Sequence, residues 1–209
     1  MADNYLEKRQ EELANAQKKV VKRNHLSLDT LLHRNRSYRG FAAVDVSEAQ
    51  LRELVGVVPL VASGMNRQAL RFRLVTGADA AMVHPLVKLG AALPEEHLPH
   101  PGMEPKAYIV VCSAVPEDKV VDMDLGIAAQ SILLKATEMG LGGIFILNFR
   151  REALKETLGL SLEPLAVLGL GKPAETVFLV PGASPDALTY YRKDGVHYVP
   201  KLAVEDLIV

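Results

Sequence analysis

The chain has almost no cysteine, no block of one charge and no apolar run long enough to cross a membrane. Its one cysteine, Cys112, excludes a framework of internal disulfides. It sits in the apolar run Tyr108-Ile109-Val110-Val111-Cys112, where it reads as a small buried hydrophobe on a core strand. The longest apolar stretches are interrupted by Asp124, Lys135 and Glu138, and the charged, amphipathic N-terminus lacks the apolar core of a secretory signal. A cytoplasmic location is therefore expected. Lysine and arginine number 24 against 25 aspartates and glutamates, a near cancellation that argues against nucleic acid or an anionic membrane as a main partner.

Several catalytic signatures are also missing. The glycines at 140, 142 and 143 do not form Gly-x-Gly-x-x-Gly between a strand and a helix, so a Rossmann dinucleotide site is unsupported. The histidines at 25, 33, 84, 97, 100 and 197 show no metal spacing beyond His97-x-x-His100, which lacks a cysteine or carboxylate partner, and no metal is expected. There is no Gly-x-Ser-x-Gly or zinc-type helix motif. No side chain presents itself as a catalytic acid, base or nucleophile, and no repeat or low-complexity segment appears.

What is present describes a globular chain. Of 209 residues, 49% are apolar and 23% charged, enough for one domain with a sizeable core. Residues 4 to about 21 predict a helix, with Asn4 and Glu7 as a capping box. Its apolar stripe, Leu6, Leu13, Ala14 and Val20, is too thin for a core and suits an arm lying on the domain or on a neighbouring subunit. Residues 1–26 are thus expected to form a helical arm and 27–209 the domain.

Within that domain Ser27 to about Leu32 predicts a short helix. Ser47 caps another, with Leu51, Leu54 and Val55 inward and Gly56 and Pro59 closing it. Leu70 to Thr76 alternates as a half-exposed strand, with Arg71, Arg73 and Val75 on the second face. Asp79 to Gly90 predicts a helix, the proline-rich residues 91–105 a loop, and Tyr108 to Ser113 a central buried strand. From about Asp124 to Met139 runs a helix with small residues in its middle, Gly140 at its end, and Gln130 on one side. Those small residues fit a dimer seam or an ordinary core helix. Residues 144–147 predict a strand, Arg150 to Leu158 a helix stopped by Gly159, and Pro164 to Leu170 a buried strand. Helices alternating with four or five strands give an α/β arrangement with a helix-sheet-helix core.

Three stretches carry the chemistry. Arg34-Asn35-Arg36-Ser37-Tyr38-Arg39-Gly40-Phe41 puts guanidiniums around a hydroxyl, a grouping that suits a phosphate. Ala62-Ser63-Gly64-Met65-Asn66-Arg67-Gln68-Ala69-Leu70-Arg71-Phe72 is rich in small and amide residues before a strand. Gly140-Leu141-Gly142-Gly143-Ile144-Phe145-Ile146-Leu147-Asn148 is a glycine-rich helix exit. Together they resemble the flavin-dependent nitroreductase family over roughly residues 28 to 209. The segment Tyr190 to Lys201 looks like the closing segment of members that bind flavin mononucleotide (FMN) across a homodimer interface.

The resemblance implies a three-layer α-β-α sandwich of the α+β kind with a mixed, largely antiparallel central sheet. It also implies FMN as cofactor and NADH or NADPH as electron donor. Arg36 and Ser37 match phosphate and ribityl contacts, Arg39 the cation beside the pyrimidine N1 and O2 edge, and Lys201 a basic residue reaching the phosphate. Ser63, Met65, Asn66 and Gln68 match the segment that hydrogen-bonds the flavin from the second subunit. Leu147 and Asn148 match the backbone approach to N5 and O4. The chain departs from the family pattern at Asn35, with Arg34 one place upstream, at Ala62 in place of proline, and at Ala69-Leu70 in place of Pro-Trp.

The activity so implied is an FMN oxidoreductase that passes hydride from a nicotinamide through N5 to a nitroaromatic, quinone or similar small acceptor by alternation. A specialised family chemistry such as flavin destruction, and a flavin-storage protein with little turnover, are the alternatives.

Overall fold

Polar caps and turn glycines set the limits of most helices in the computed structural model, which describes residues 26–184 and 186–209. The helix expected over 4–21, and the arm it would form, lie outside the described residues. Helix α1 spans Leu28–Arg34, with the Ser27 hydroxyl accepting from the Thr30 N–H at 3.2 Å, and runs two residues past the expected end. Helix α2 spans Glu48–Val55 behind a complete capping box of Ser47 and Gln50, and buries Leu51 and Leu54 fully. Strand β1 occupies Leu70–Thr76, as expected.

Three expectations need correction. The helix predicted from Asp79 to Gly90 is only α3, Gly77–Val83, followed by a 3-10 turn at His84–Leu86. Pro85 has no N–H to continue the α ladder, and its ring clashes with the preceding turn. The long helix predicted from Asp124 starts five residues earlier, as α4, Lys119–Glu138. Asp118 caps it, accepting from the Val120 and Val121 N–H groups at 2.9 Å each, so Asp124 lies a turn inside the helix. The strand expected over 144–147 is β3, Gly142–Ile146, which takes in both glycines and leaves Leu147 outside.

Strand β2, Ala107–Ser113, is buried along its whole length. Helix α5 covers Arg151–Thr157 and strand β4 Glu163–Gly171. The central sheet has the order β1-β2-β4-β3, and every pairing in it is antiparallel. One face is covered by α2 and α4 through Leu51, Leu54, Leu125 and Ile132. The other is covered by α3 and α5 through Ala80, Val83, Leu154 and Leu158. This is the expected three-layer α-β-α sandwich. It explains why Val75, read on the open face of β1, is buried: α3 packs there.

The parallel pairing lies in a second sheet built by the C-terminal part of the chain. Strands β5 (Thr176–Pro181), β6 (Tyr191–Lys193) and β7 (Val196–Lys201) take the order β5-β7-β6, with β5 and β7 parallel. Its strands continue the chain directly from β4, next to the segment between α1 and α2. Phe41 bridges to Pro173, and Ser37 bridges to Gly143 of β3. Among the described residues no helix is long and apolar enough to cross a membrane.

Candidate active site

The basic segment is seated on bare backbone. Tyr38 N–H donates to the Gly143 carbonyl at 3.1 Å, and a Cβ added at Gly142 would lie 2.5 Å from atoms of Tyr38 and Pro173. Only glycine allows the chain to lie this close to β3. This seat brings Arg36, Ser37 and Arg39 to one cavity of about 420 Å³, which Lys201 at the end of β7 also lines. Its apolar walls come from Leu133, Phe145, Val177 and Val199, with Gln130 of α4 and the Tyr190 ring beside them.

The three basic side chains differ in how free they are. Arg36 caps the C-terminus of α1, its Nε donating to the His33 carbonyl at 3.1 Å and its Nη2 to that of Leu32. Burial lowers its pKa. Arg39 is 8% exposed, and its Nη1 donates to the Ser37 carbonyl at 2.9 Å. The backbone N–H of Arg39 and that of Gly40 donate to the Glu175 carboxylate, which is also paired with Arg192. Lys201 is exposed, and no ion pair engages it among the described residues.

The amide-rich turn lies elsewhere. Ser63, Asn66 and Gln68 line a second cavity of about 620 Å³, walled by Val55, Val58, Phe72 and Leu74 and floored by Asp124 and Ala128 of α4. A single chain therefore places the expected phosphate residues and the expected amide residues at two different cavities along α4. Met65 lines neither of them and is 80% exposed. Leu147, 64% exposed, and Asn148 also line neither, and the Asn148 carbonyl accepts from the Lys88 N–H at 2.9 Å.

The turn itself is strained and tied down. Met65, Asn66 and Gln68 have φ of 52, 53 and 47°, the left-handed region in which side-chain-bearing residues are disfavoured. Asp124, 6% exposed, accepts from the Ser63 hydroxyl at 2.6 Å and from the Gly64 N–H at 2.8 Å. Ser63 Oγ in turn accepts from the Gln68 N–H at 3.0 Å, so one carboxylate holds both ends. Gln68 Nε2 donates to Asn66 Oδ1 at 3.0 Å, which aligns the two amides. Asp124→Ala should cost about 2 kcal/mol, because it orphans a hydroxyl and an N–H under a strained turn. Denaturant unfolding would measure this, and an unchanged midpoint would show that the turn holds itself.

Some of these residues had no role in the sequence reading. Asp124 reads in sequence as a helix start, and Tyr190 and His197 lie in the closing segment without a role of their own. In the alternation Val196-His197-Tyr198 a polar residue between two apolar ones reads as outward, so no local signal marks His197 as buried. His197 is 1% exposed, with Nε2 3.2 Å from Arg39 Nη1. Burial, then Arg39 and Arg192, push its pKa down to about 4. Among the described residues no group of His, Cys, Asp and Glu is arranged to hold a metal ion.

A model described as the nitroreductase family matches residues 32–172. The chain belongs to that family. The match takes in the basic segment, the amide turn and the glycine exit, and stops where the second sheet begins. Solved structures share the fold. A nitroreductase family protein from Streptococcus pneumoniae TIGR4 is 17% identical, with a TM-score of 0.63 over 88% of this chain and 99% of that one. An FMN and NADPH-dependent nitroreductase from Sphigopyxis sp. strain HMH is 16% identical, with a TM-score of 0.66 over 88% of this chain and 98% of that one. An FMN-dependent nitroreductase from Clostridium difficile R20291 is 20% identical, with a TM-score of 0.56 over 69% of this chain and 87% of that one.

Proposed function

We propose that this nitroreductase family protein is an FMN-dependent oxidoreductase whose flavin lies in the basic cavity. The observation that carries this reading is the convergence of Arg36, Ser37, Arg39 and Lys201, from the two ends of the domain, on one cavity with apolar walls. The donor set fits the cofactor. Arg36 and Lys201 offer positive charge for a phosphate, and Arg39, 8% exposed, keeps an Nη2 from which no described group accepts. The acceptor edge of a flavin ring would satisfy that donor. When bound, FMN would supply two-electron transfer between NADH or NADPH and a nitroaromatic, quinone or similar acceptor. The chain's own part is to bind, to orient and to stabilise negative charge, since no acid-base pair lines the cavity.

The experiment is simple. Purified protein should be yellow, and its colour should bleach rapidly with NADH or NADPH. Persistent yellow with both donors would favour flavin storage, and a colourless protein that takes up no FMN would overturn the reading. Arg36→Ala and Lys201→Ala should each weaken FMN binding by about 1.5 to 3 kcal/mol, the range for a hydrogen bond to a charged group. Flavin titration checks this.

The reading extends to a homodimer with shared sites. Its support is the separation of the two half-sites within one chain: Asn66 and Gln68 would serve the flavin held by the partner's basic cavity. The test refolds an Asn66→Ala/Gln68→Ala chain together with an Arg36→Ala/Lys201→Ala chain. Statistical pairing makes half the dimers mixed, each with one intact site, so about a quarter of the wild-type flavin content should return. A flavin-loaded monomer in light scattering would exclude shared sites. The cytoplasmic location stays part of this proposal.

A further inference from the structure

Arg39 meets groups from the far end of the chain. Its Nη1 is fixed twice, by the Ser37 carbonyl at 2.9 Å and by His197 Nε2 at 3.2 Å. Its guanidinium carbon stacks 4.5 Å from the centre of the Tyr190 ring, and that ring lies 5.1 Å from the ring of His197. A guanidinium can only donate, so His197 Nε2 must present a lone pair and the neutral ring carries its proton on Nδ1. That Nδ1–H is buried without a partner among the described residues. The charged groups acting on the imidazole are the cations Arg39 and Arg192. Glu175, the carboxylate of this cluster, is occupied by Arg192 and by the N–H groups of Arg39 and Gly40.

A neutral histidine with no carboxylate partner, held between two arginines, is costly to bury and needs a reason. We infer that His197 is a positioning residue: by accepting from Nη1 it turns the Arg39 guanidinium so that Nη2, from which no described group accepts, faces a ligand in the basic cavity. The inference rests on the flavin reading, because the flavin edge is the acceptor that this donor would meet. His197 itself does not line that cavity, so it acts through Arg39. Tyr190 completes the clamp by covering one guanidinium face, which leaves rotation in the ring plane as the freedom that His197 removes.

Two measurements test it. On the wild-type protein, long-range proton-nitrogen NMR at neutral pH should show His197 with Nδ1 protonated and Nε2 bare. A ring protonated on Nε2 would overturn the inference whether or not flavin binds. The second compares affinities for reduced and oxidised FMN in wild type, His197→Leu and His197→Gln. His197→Leu should lower the ratio of reduced to oxidised affinity about tenfold, the order expected for losing one charge-assisted contact. His197→Gln, whose amide oxygen can stand where Nε2 stood, should restore most of it. A folded His197→Leu protein with the wild-type ratio overturns the inference and leaves the flavin reading intact. A wild-type protein that takes up no FMN ends the flavin reading, and the NMR result then decides alone whether His197 orients Arg39.

Discussion

Arg39→Ala should lower the reduction potential of bound FMN by the equivalent of about 2 to 4 kcal/mol, a larger change than its effect on binding of the oxidised cofactor. The scale is that of a preorganised donor aimed where charge develops. Reduction places negative charge on the pyrimidine edge, and Arg39 is expected to face it from an 8% exposed position, where screening by water is weak. The guanidinium is already oriented by Ser37, His197 and Tyr190, so it need not reorganise when the charge appears. Arg39→Lys should recover only part of the loss, because an ammonium keeps the charge but not the planar fork. The measurement is the midpoint potential of each variant against a reference dye. A wild-type potential in Arg39→Ala would remove Arg39 from the ring edge.

A second large effect concerns acid. His197 has a folded pKa of about 4 against an ordinary 6.5. Below pH 6.5 the unfolded chain takes up a proton that the folded protein refuses, so stability falls as the pH drops. The contribution is fully present above pH 6.5 and is lost progressively down to about pH 4, where the folded protein protonates as well. At 1.36 kcal/mol per pKa step the loss amounts to about 3 kcal/mol. Burial of the imidazole is the main cause, and local repulsion adds to it, since an imidazolium would face Arg39 and Arg192 with Glu175 already engaged. Unfolding midpoints taken between pH 7 and pH 4 should therefore decline more steeply for the wild type than for His197→Gln, which cannot titrate. Parallel declines would place the acid sensitivity elsewhere.

Much of the sandwich was legible because its signals are local. Ser47 with Leu51 and Leu54 announces α2, and the continuous apolar run at Tyr108 to Ser113 announces a strand covered on both faces. The errors also had local causes. Pro85 was outvoted by the apolar residues around it, and Asp118 went unread as the cap of α4. The site was half legible. Short stretches gave Arg36, Ser37 and Arg39, but nothing near Arg39 in sequence announces His197, which lies 158 residues away and reaches it only after the second sheet has formed. Asp124 was hidden for a related reason. Its partners Ser63 and Gly64 lie 61 and 60 residues upstream, and a buried acid on an apolar helix looks in sequence like an ordinary first-turn charge.

The glycine seat under the basic segment bears on attempts to engineer the cavity for other ligands. At Gly143 an added Cβ would lie 2.6 Å from Leu133 and 2.9 Å from the Gly169 carbonyl, and at Gly142 it would strike Tyr38. The segment that carries Arg36, Ser37 and Arg39 is thus held against β3 at the thickness of a polypeptide, with no room for a side chain between them. A saturation library at these two positions would return almost only glycine, whereas Val177, Val199 and Leu133, which form the walls, can be exchanged for larger or smaller residues. The walls of the cavity can be redesigned, but the seat that holds its basic residues in place cannot.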